Sequence, residues 1–232
     1  VEGKTALERN EFDAAMTSAD AVVNSNATPG DSAAGYYLRG RTIEQRVKID
    51  SAASSNDLSL ARMDYNRALP LGPSRQLEGY IRASLANVDY FQDDYPNAYG
   101  QWQAAYNLLS EPDLKAWTLY RIGLCQQRMG RFEQADRTFT EVGSRFPNSE
   151  QAKRAQERIG ARGFQVQLAT FTNPKSADNA IAELRRDGIT PTRTTDARGL
   201  SSIRIGPYTT YNEALQYKHR FATKYADAII LP

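Results

Sequence analysis

Two short runs near the end of the chain, FQVQLATF (164–171) and SSIRIGPY (201–208), alternate apolar and polar residues with a period of two. Successive side chains leave opposite sides of a pleated backbone, so each run specifies a strand with two unlike faces. In the first, Val166 and Leu168 share one face while Gln165, Gln167 and Ala169 share the other; in the second, Ile203 and Ile205 oppose Ser202 and Arg204. Between them, SADNAIAELRRDG (176–188) places Ala177, Ala180, Ile181 and Leu184 at helical spacing, with Ser176 as the expected N-cap and Gly188 as the stop. ITPTRT (189–194) reads as a strand. NEALQYKHRFATKYA (212–226) reads as a helix amphipathic through Ala214, Leu215, Tyr217, Phe221 and Tyr225, and AIIL (228–231) as a closing strand. The expected order is β-α-β-β-α-β, an α+β unit whose antiparallel sheet carries both helices on one face.

The helices must cover the face bearing Val166, Leu168, Ile203 and Ile205, which leaves Gln165, Gln167, Ser202 and Arg204 open. In the usual strand order of this unit the first and third strands are central neighbours, so Gln167 is expected beside Ser202 and Arg204. An amide, a hydroxyl and a guanidinium on a flat sheet make a hydrogen-bonding platform with no nucleophile and no metal ligand. VQLATF, an alanine-rich helix, IRIGPY, an NEA-type helix and a terminal apolar strand together resemble the SPOR domain, whose members run VQLGSF, then RVRVGPF, then EEA. The resemblance covers residues 163–232 and implies a bacterial envelope module that binds peptidoglycan glycan strands lacking stem peptides. On it, Gln167 matches the glutamine of VQ, Thr170 stands in place of a serine and Arg204 matches the second arginine of RVRVGPF. Ser202 stands where many members have arginine, Leu200 where some have tryptophan, and Ile229 on an apolar position of the last strand. With Gln165 on the same open face, the expected glycan-binding set is Gln165, Gln167, Thr170, Leu200, Ser202, Arg204 and Ile229.

Residues 1–149 carry an internal repeat. Its clearest copy, AWTLYRIGLCQQRMGRFEQADRTFTEVGSRFPNS (116–149), places Gly123, Gly130, Phe132, Ala135, Phe139 and Pro147 as in a tetratricopeptide repeat, which it resembles. Gly123 and Ala135 are small where two helices of a hairpin cross, Phe139 is expected to fill the groove to the next hairpin, and Pro147 ends the second helix. Earlier copies keep the small residue as Ala15, Ala61 and Ala98, followed four positions on by Ala19, Tyr65 and Trp102, and three further by Val22, Ala68 and Ala105. Prolines follow at Pro29, Pro73 and Pro112. The alanines are 46, 37 and 37 residues apart, the first interval stretched by DSAASSND (50–57), read as a polar loop. The expected organisation is an all-α solenoid of about four hairpins over 1–149, a capping or linking helix over 150–162, and the SPOR unit over 163–232. Gly160 and Gly163 leave the connection open between a rigid and a hinged form. The FPNSEQAKRA ending also resembles repeats of bacterial envelope lipoproteins that assist outer-membrane or cell-wall assembly.

A content of 41% apolar and 24% charged residues excludes disorder across the chain, and a net charge of +2 excludes a bulk polyanion-attracting field. Cys125 is the only cysteine and His219 the only histidine, so neither an internal disulfide nor a His/Cys metal site can form. Cys125 is expected to be buried and His219 to be solvated or packed along its stem. No phosphate-cradling glycine loop is present. The carboxylate sets Asp93/Asp94, Glu111/Asp113 and Glu133/Asp136 read as caps and solvated faces, so neither catalytic residues nor a cofactor are expected. Trp102 and Trp117 read as core. Tyr36, Tyr37, Tyr80 and Tyr90, on first helices of the hairpins, are open between packing and contact with a partner, and Arg185, Arg186, Arg193 and Arg198 read as a solvated basic face. No apolar run reaches the ~18 residues that span a bilayer, and the start at Val1 reads as a mature or trimmed chain whose leader or lipid anchor has been removed.

The expected function is therefore that of a non-catalytic protein of the bacterial periplasm or cell envelope. It would bind glycan strands through the sheet and recruit a protein partner through the solenoid. Two alternatives share these features: a pure interaction scaffold without glycan binding, and an RNA-binding module. The second calls for aromatic residues on the open face, where the sequence places none, so no nucleic-acid partner is expected. A peptidoglycan hydrolase lacks the two converging carboxylates that such chemistry uses.

Overall fold

The computed structural model describes residues 2–49 and 55–232. Eight helices pair into four antiparallel hairpins: α1 (Glu2–Glu8) with α2 (Phe12–Val23), α3 (Pro29–Ile49) with α4 (Ser55–Ala68), α5 (Arg75–Phe91) with α6 (Tyr95–Leu108), and α7 (Pro112–Arg128) with α8 (Phe132–Arg145). A short α9 (Glu150–Gln156) follows, ending well before the expected residue 162. Of the expected loop 50–57, residues 50–54 lie outside the described residues, and α4 already begins at Ser55. Pro29 and Pro112 open α3 and α7, where a missing N–H costs nothing, instead of terminating the helix before.

The repeat is a packing rule. Ala15, Ala61, Ala98 and Ala135 have no exposed surface, and neither do Ala19, Tyr65 and Trp102, while Phe139 retains almost none. Tyr65 and Phe139 each press on a glycine of their own first helix. A Cβ on Gly40 would lie 2.6 Å from the Tyr65 ring, and one on Gly123 would lie 2.5 Å from the Phe139 ring. Phe139 thus packs within its own hairpin, against Gly123 and Tyr120, and shares a core with Ala152 and Ala155 of α9. Gly123→Ala should therefore cost about 1–3 kcal/mol despite its better helix propensity. In thermal denaturation, Gly123→Ala combined with Phe139→Leu should be less destabilised than the two single losses added together.

One buried charge ties the second and third hairpins. Glu44 of α3 has a fully buried side chain that accepts from Arg41 (2.8 Å), Lys48 (2.8 Å), the Tyr65 hydroxyl (2.9 Å) and Asn87 of α5 (3.3 Å).

The C-terminal unit consists of β1 (Phe164–Phe171), α10 (Pro174–Arg186), β2 (Thr192–Thr195), β3 (Ser201–Tyr208), α11 (Tyr211–Arg220) and β4 (Ile229–Leu231). The strands form one antiparallel sheet ordered β2-β3-β1-β4, with β1 and β3 central as expected. Ala177 and Leu184 of α10, together with Ala214 and Phe221 from α11 and its end, cover Val166, Leu168, Ile203 and Ile205 on one face. Three expected bounds shift. α10 is capped by Asn173, whose side chain accepts from the Lys175 N–H, so the helix starts ahead of Ser176. β2 starts only at Thr192, after Pro191, and α11 unwinds after Arg220, with Phe221 buried beyond its end.

This unit sits directly on the fourth hairpin. The Tyr211 ring meets Tyr95 edge-on at 5.9 Å and Phe164 edge-on at 5.6 Å, and the Arg128 guanidinium lies 3.5 Å from its centroid. Phe132 packs on Phe164. Gly130, at φ +77°, leaves no room for a side chain, since a Cβ there would be 2.9 Å from the Thr209 carbonyl oxygen. Asp136 accepts from the Gly160 N–H (3.0 Å) and from Arg162 (2.7 Å), and Gly163 packs on Pro207 and Tyr208, so the hinge-capable glycines lie within this joint.

Candidate functional site

The open face of the sheet is built by strand register. Paired residues of an antiparallel ladder point to the same side, and Gln167 pairs with both Arg204 of β3 and Ile229 of β4. Arg204 pairs with Thr192 of the edge strand β2, and Ser202 with Thr194. One row across the sheet is therefore Thr192, Arg204, Gln167, Ile229.

Thr170 joins this face only through an irregularity. A strict period of two would turn it inward with Leu168. A β-bulge in β1 sets Leu168 and Ala169 together opposite Ile203, and Thr170 then pairs with Ser202 on the open side. A second bulge at Gly206 and Pro207 lets Phe164 and Tyr208 both point into the core, with Gly206 at φ +116°, where a Cβ would stand 2.8 Å from the Phe164 carbonyl oxygen. The two small-residue positions of the strand motifs thus set which side chains face outward.

The outward polar groups are connected. The Arg204 Nε–H donates to the Gln167 side-chain oxygen (3.2 Å), the Gln167 amide nitrogen donates to the Thr170 hydroxyl (3.3 Å), and Thr170 shares a hydrogen with Ser202 (3.0 Å). The amide orientation of Gln167 is thereby fixed from both ends, and the two terminal guanidinium nitrogens of Arg204 remain as donors. Ile229 is 47% exposed beside Gln167 and offers an apolar contact. Gln165 pairs with Leu231 one row further on, outside the hydrogen-bonded chain. Leu200 lies in the turn before β3, half-buried, its backbone held by Asp196. Thr192 and Thr194 were not legible as site residues, because β2 alone shows no alternation of polarity.

Other candidates resolve elsewhere. Arg193 turns to the helix side, donating to Asp178 and Ser201, and Arg198 closes on Asp196 in the turn, so Arg204 is the cation of the open face. Burial pushes the Cys125 thiol up to about 12, which leaves it protonated and inert. His219 is exposed, and among the described residues no group of His, Cys, Asp and Glu could hold a metal ion. Tyr37 stacks on Tyr80, and Tyr90 is buried among Tyr95, Trp102 and two arginines, so these rings are packed against the protein itself.

A flat sheet face of hydroxyl, amide and guanidinium, beside a helical-hairpin solenoid, defines a binding protein. The comparisons agree. Residues 160–232 match the family model of the SPOR domain, a peptidoglycan-binding family, and residues 117–149 match that of a tetratricopeptide repeat. The chain thus carries a SPOR domain preceded by a tetratricopeptide repeat, both of them non-catalytic binding modules. A search of curated proteins finds no match. Among solved structures, YrrB, described as a TPR protein with an unusual peptide-binding site, aligns at 18% identity and TM-score 0.51, covering 67% of this chain and 80% of its own. MamA aligns at 19% identity and TM-score 0.50, covering 68% of this chain and 84% of its own. Both likenesses show the solenoid fold. SPOR domains are associated with the cell envelope and periplasm, and among the described residues no helix is long and apolar enough to cross a membrane.

Proposed function

We propose that this protein binds peptidoglycan glycan strands lacking stem peptides through the open sheet face, and recruits a protein partner through the helical hairpins. On this reading residues 1–149 are the recruiting solenoid, 150–162 the connection and 163–232 the glycan reader, working in the bacterial envelope. The observation that carries it is the hydrogen-bonded row Arg204–Gln167–Thr170–Ser202, held on an exposed face without a carboxylate or nucleophile. Such a row offers donors and acceptors at fixed positions to sugar hydroxyls and acetamides, and Ile229 offers an apolar patch to a ring face. A bulky peptide branch would meet the flat sheet and keep the sugars away from it. The full chain should co-sediment with purified sacculi, and more of it after an amidase has stripped the stem peptides. Equal or lower binding after stripping would contradict the glycan reading.

A further inference from the structure

The second helices of the first two hairpins enclose an apolar groove that the proposed function leaves unused. It lies between α2 and α4, holds about 200 Å³, and has Met16, Ile43, Leu60 and Met63 along it. Leu60 is 51% exposed and Met63 48%. Three residues apart on α4, they stand one turn from each other on one face. The repeat does not require this: among the described residues α6 and α8, the second helices of the later hairpins, expose no large apolar side chain. Apolar side chains grouped in water mark a contact surface, whereas single scattered ones need no explanation.

The charges along the groove cancel. Arg39 donates to Asp64 (2.6 and 2.8 Å) and to Asp20 (3.0 Å), and Arg67 lies 3.7 Å from Asp64. Two guanidinium groups against two carboxylates leave no field that draws an ion, so the occupant is apolar at its centre.

The pattern of α4 specifies that occupant. Asp57 stands in its first turn and Arg67 in its last. Asp57, Leu60, Met63 and Arg67 follow one another at steps of three, three and four, the spacing of a single helix face. Positions 57 and 67 are centred on 62, and positions 60 and 63 between 61 and 62, so opposite charges flank the apolar pair almost evenly. Such a helix is its own complement when a second copy runs antiparallel to it. Leu60 of each copy then meets Met63 of the other, Arg67 of each comes opposite Asp57 of the other, and a two-fold axis makes every contact twice. The Arg67 side chain is 51% exposed and stands beyond hydrogen-bonding distance of Asp64, so it can reach across.

We propose that this protein forms a symmetric dimer through α4, a second copy laying its own α4 antiparallel along the groove. The pairing needs neither the glycan nor the recruited protein.

Sedimentation velocity of the full chain over roughly 1–100 μM should show a monomer–dimer equilibrium. Leu60→Gln combined with Met63→Gln should weaken it about tenfold or more, with circular dichroism unchanged. Asp57→Lys and Arg67→Glu each set like charges opposite one another twice, so each variant alone should dimerise about tenfold less tightly or worse. Mixed in equal amounts, the two variants form a heterodimer in which both contacts again join opposite charges, and dimerisation should return. Monomer across the whole range overturns the dimer and leaves the groove to a helix of a different protein. A dimer that survives Leu60→Gln with Met63→Gln overturns the groove as its interface, and a mixture that stays monomeric overturns the antiparallel pairing.

Discussion

Gln167→Ala combined with Arg204→Ala is expected to abolish co-sedimentation with stripped sacculi while moving the melting temperature by no more than about 4 °C, since each substitution outside the core stays within roughly 0.5 kcal/mol. The two effects separate because the row carries no core packing: Val166, Leu168, Ile203 and Ile205 hold the sheet from its other side. Loss of binding should be steep for a reason of geometry. Removing Gln167 frees both Arg204 and Thr170 from their positions, so the double variant loses its own contacts and the orientation of its neighbours. Hydrogen bonds to a charged donor are worth about 1.5–3 kcal/mol and neutral ones about 0.5–1.5. An open site has little surplus over the cost of association, so losing two or three such bonds is enough. Sedimentation that persists in the double variant would place the glycan on another surface.

Glu44→Ala should be the most damaging single change in the solenoid, costing about 3–5 kcal/mol because it leaves Arg41 and Lys48 facing a buried site without their partner. At about 2–4 °C per kcal/mol, the melting temperature should fall by roughly 6–20 °C. Burial alone would raise the pKa of Glu44, but Arg41, Lys48 and the Tyr65 hydroxyl outweigh it and hold the carboxyl below its usual value near 4.5. A carboxylate depressed in the folded state stabilises the fold above its unfolded pKa, and that contribution is lost as the pH falls through the folded one. The melting temperature of the parent protein should therefore drop on acidification below about pH 4.5, and that of Glu44→Gln should drop less over the same interval. Parallel curves would show that Glu44 is not what couples the solenoid to pH.

The strands, the two helices above them and the second-helix series Ala15, Ala61, Ala98 and Ala135 were legible because each repeats a short period that one sequence displays. Gly40 and Gly123, the first-helix partners of Tyr65 and Phe139, are contacts across a hairpin, and only Gly123 stood in a readable copy. At the site, Gln167, Ser202 and Arg204 followed from alternation alone. Thr170 did not: its outward direction depends on the bulge at Leu168 and Ala169, which period-two reasoning cannot see, and its inclusion came from resemblance. Leu200 came from resemblance too, and the structure leaves it in the turn.

The seating of Tyr211 among Tyr95, Phe164 and Arg128 has a mechanical consequence. A flexible tether would let two binding sites search a volume set by its length, so that almost any spacing of targets could be met at some entropic cost. A bracket allows one spacing and one angle. On the function proposed above, a protein held by the hairpins would be presented to the wall in a single attitude, and whatever it acts on would have to lie where that attitude points, so that position would be selected as well as ligand.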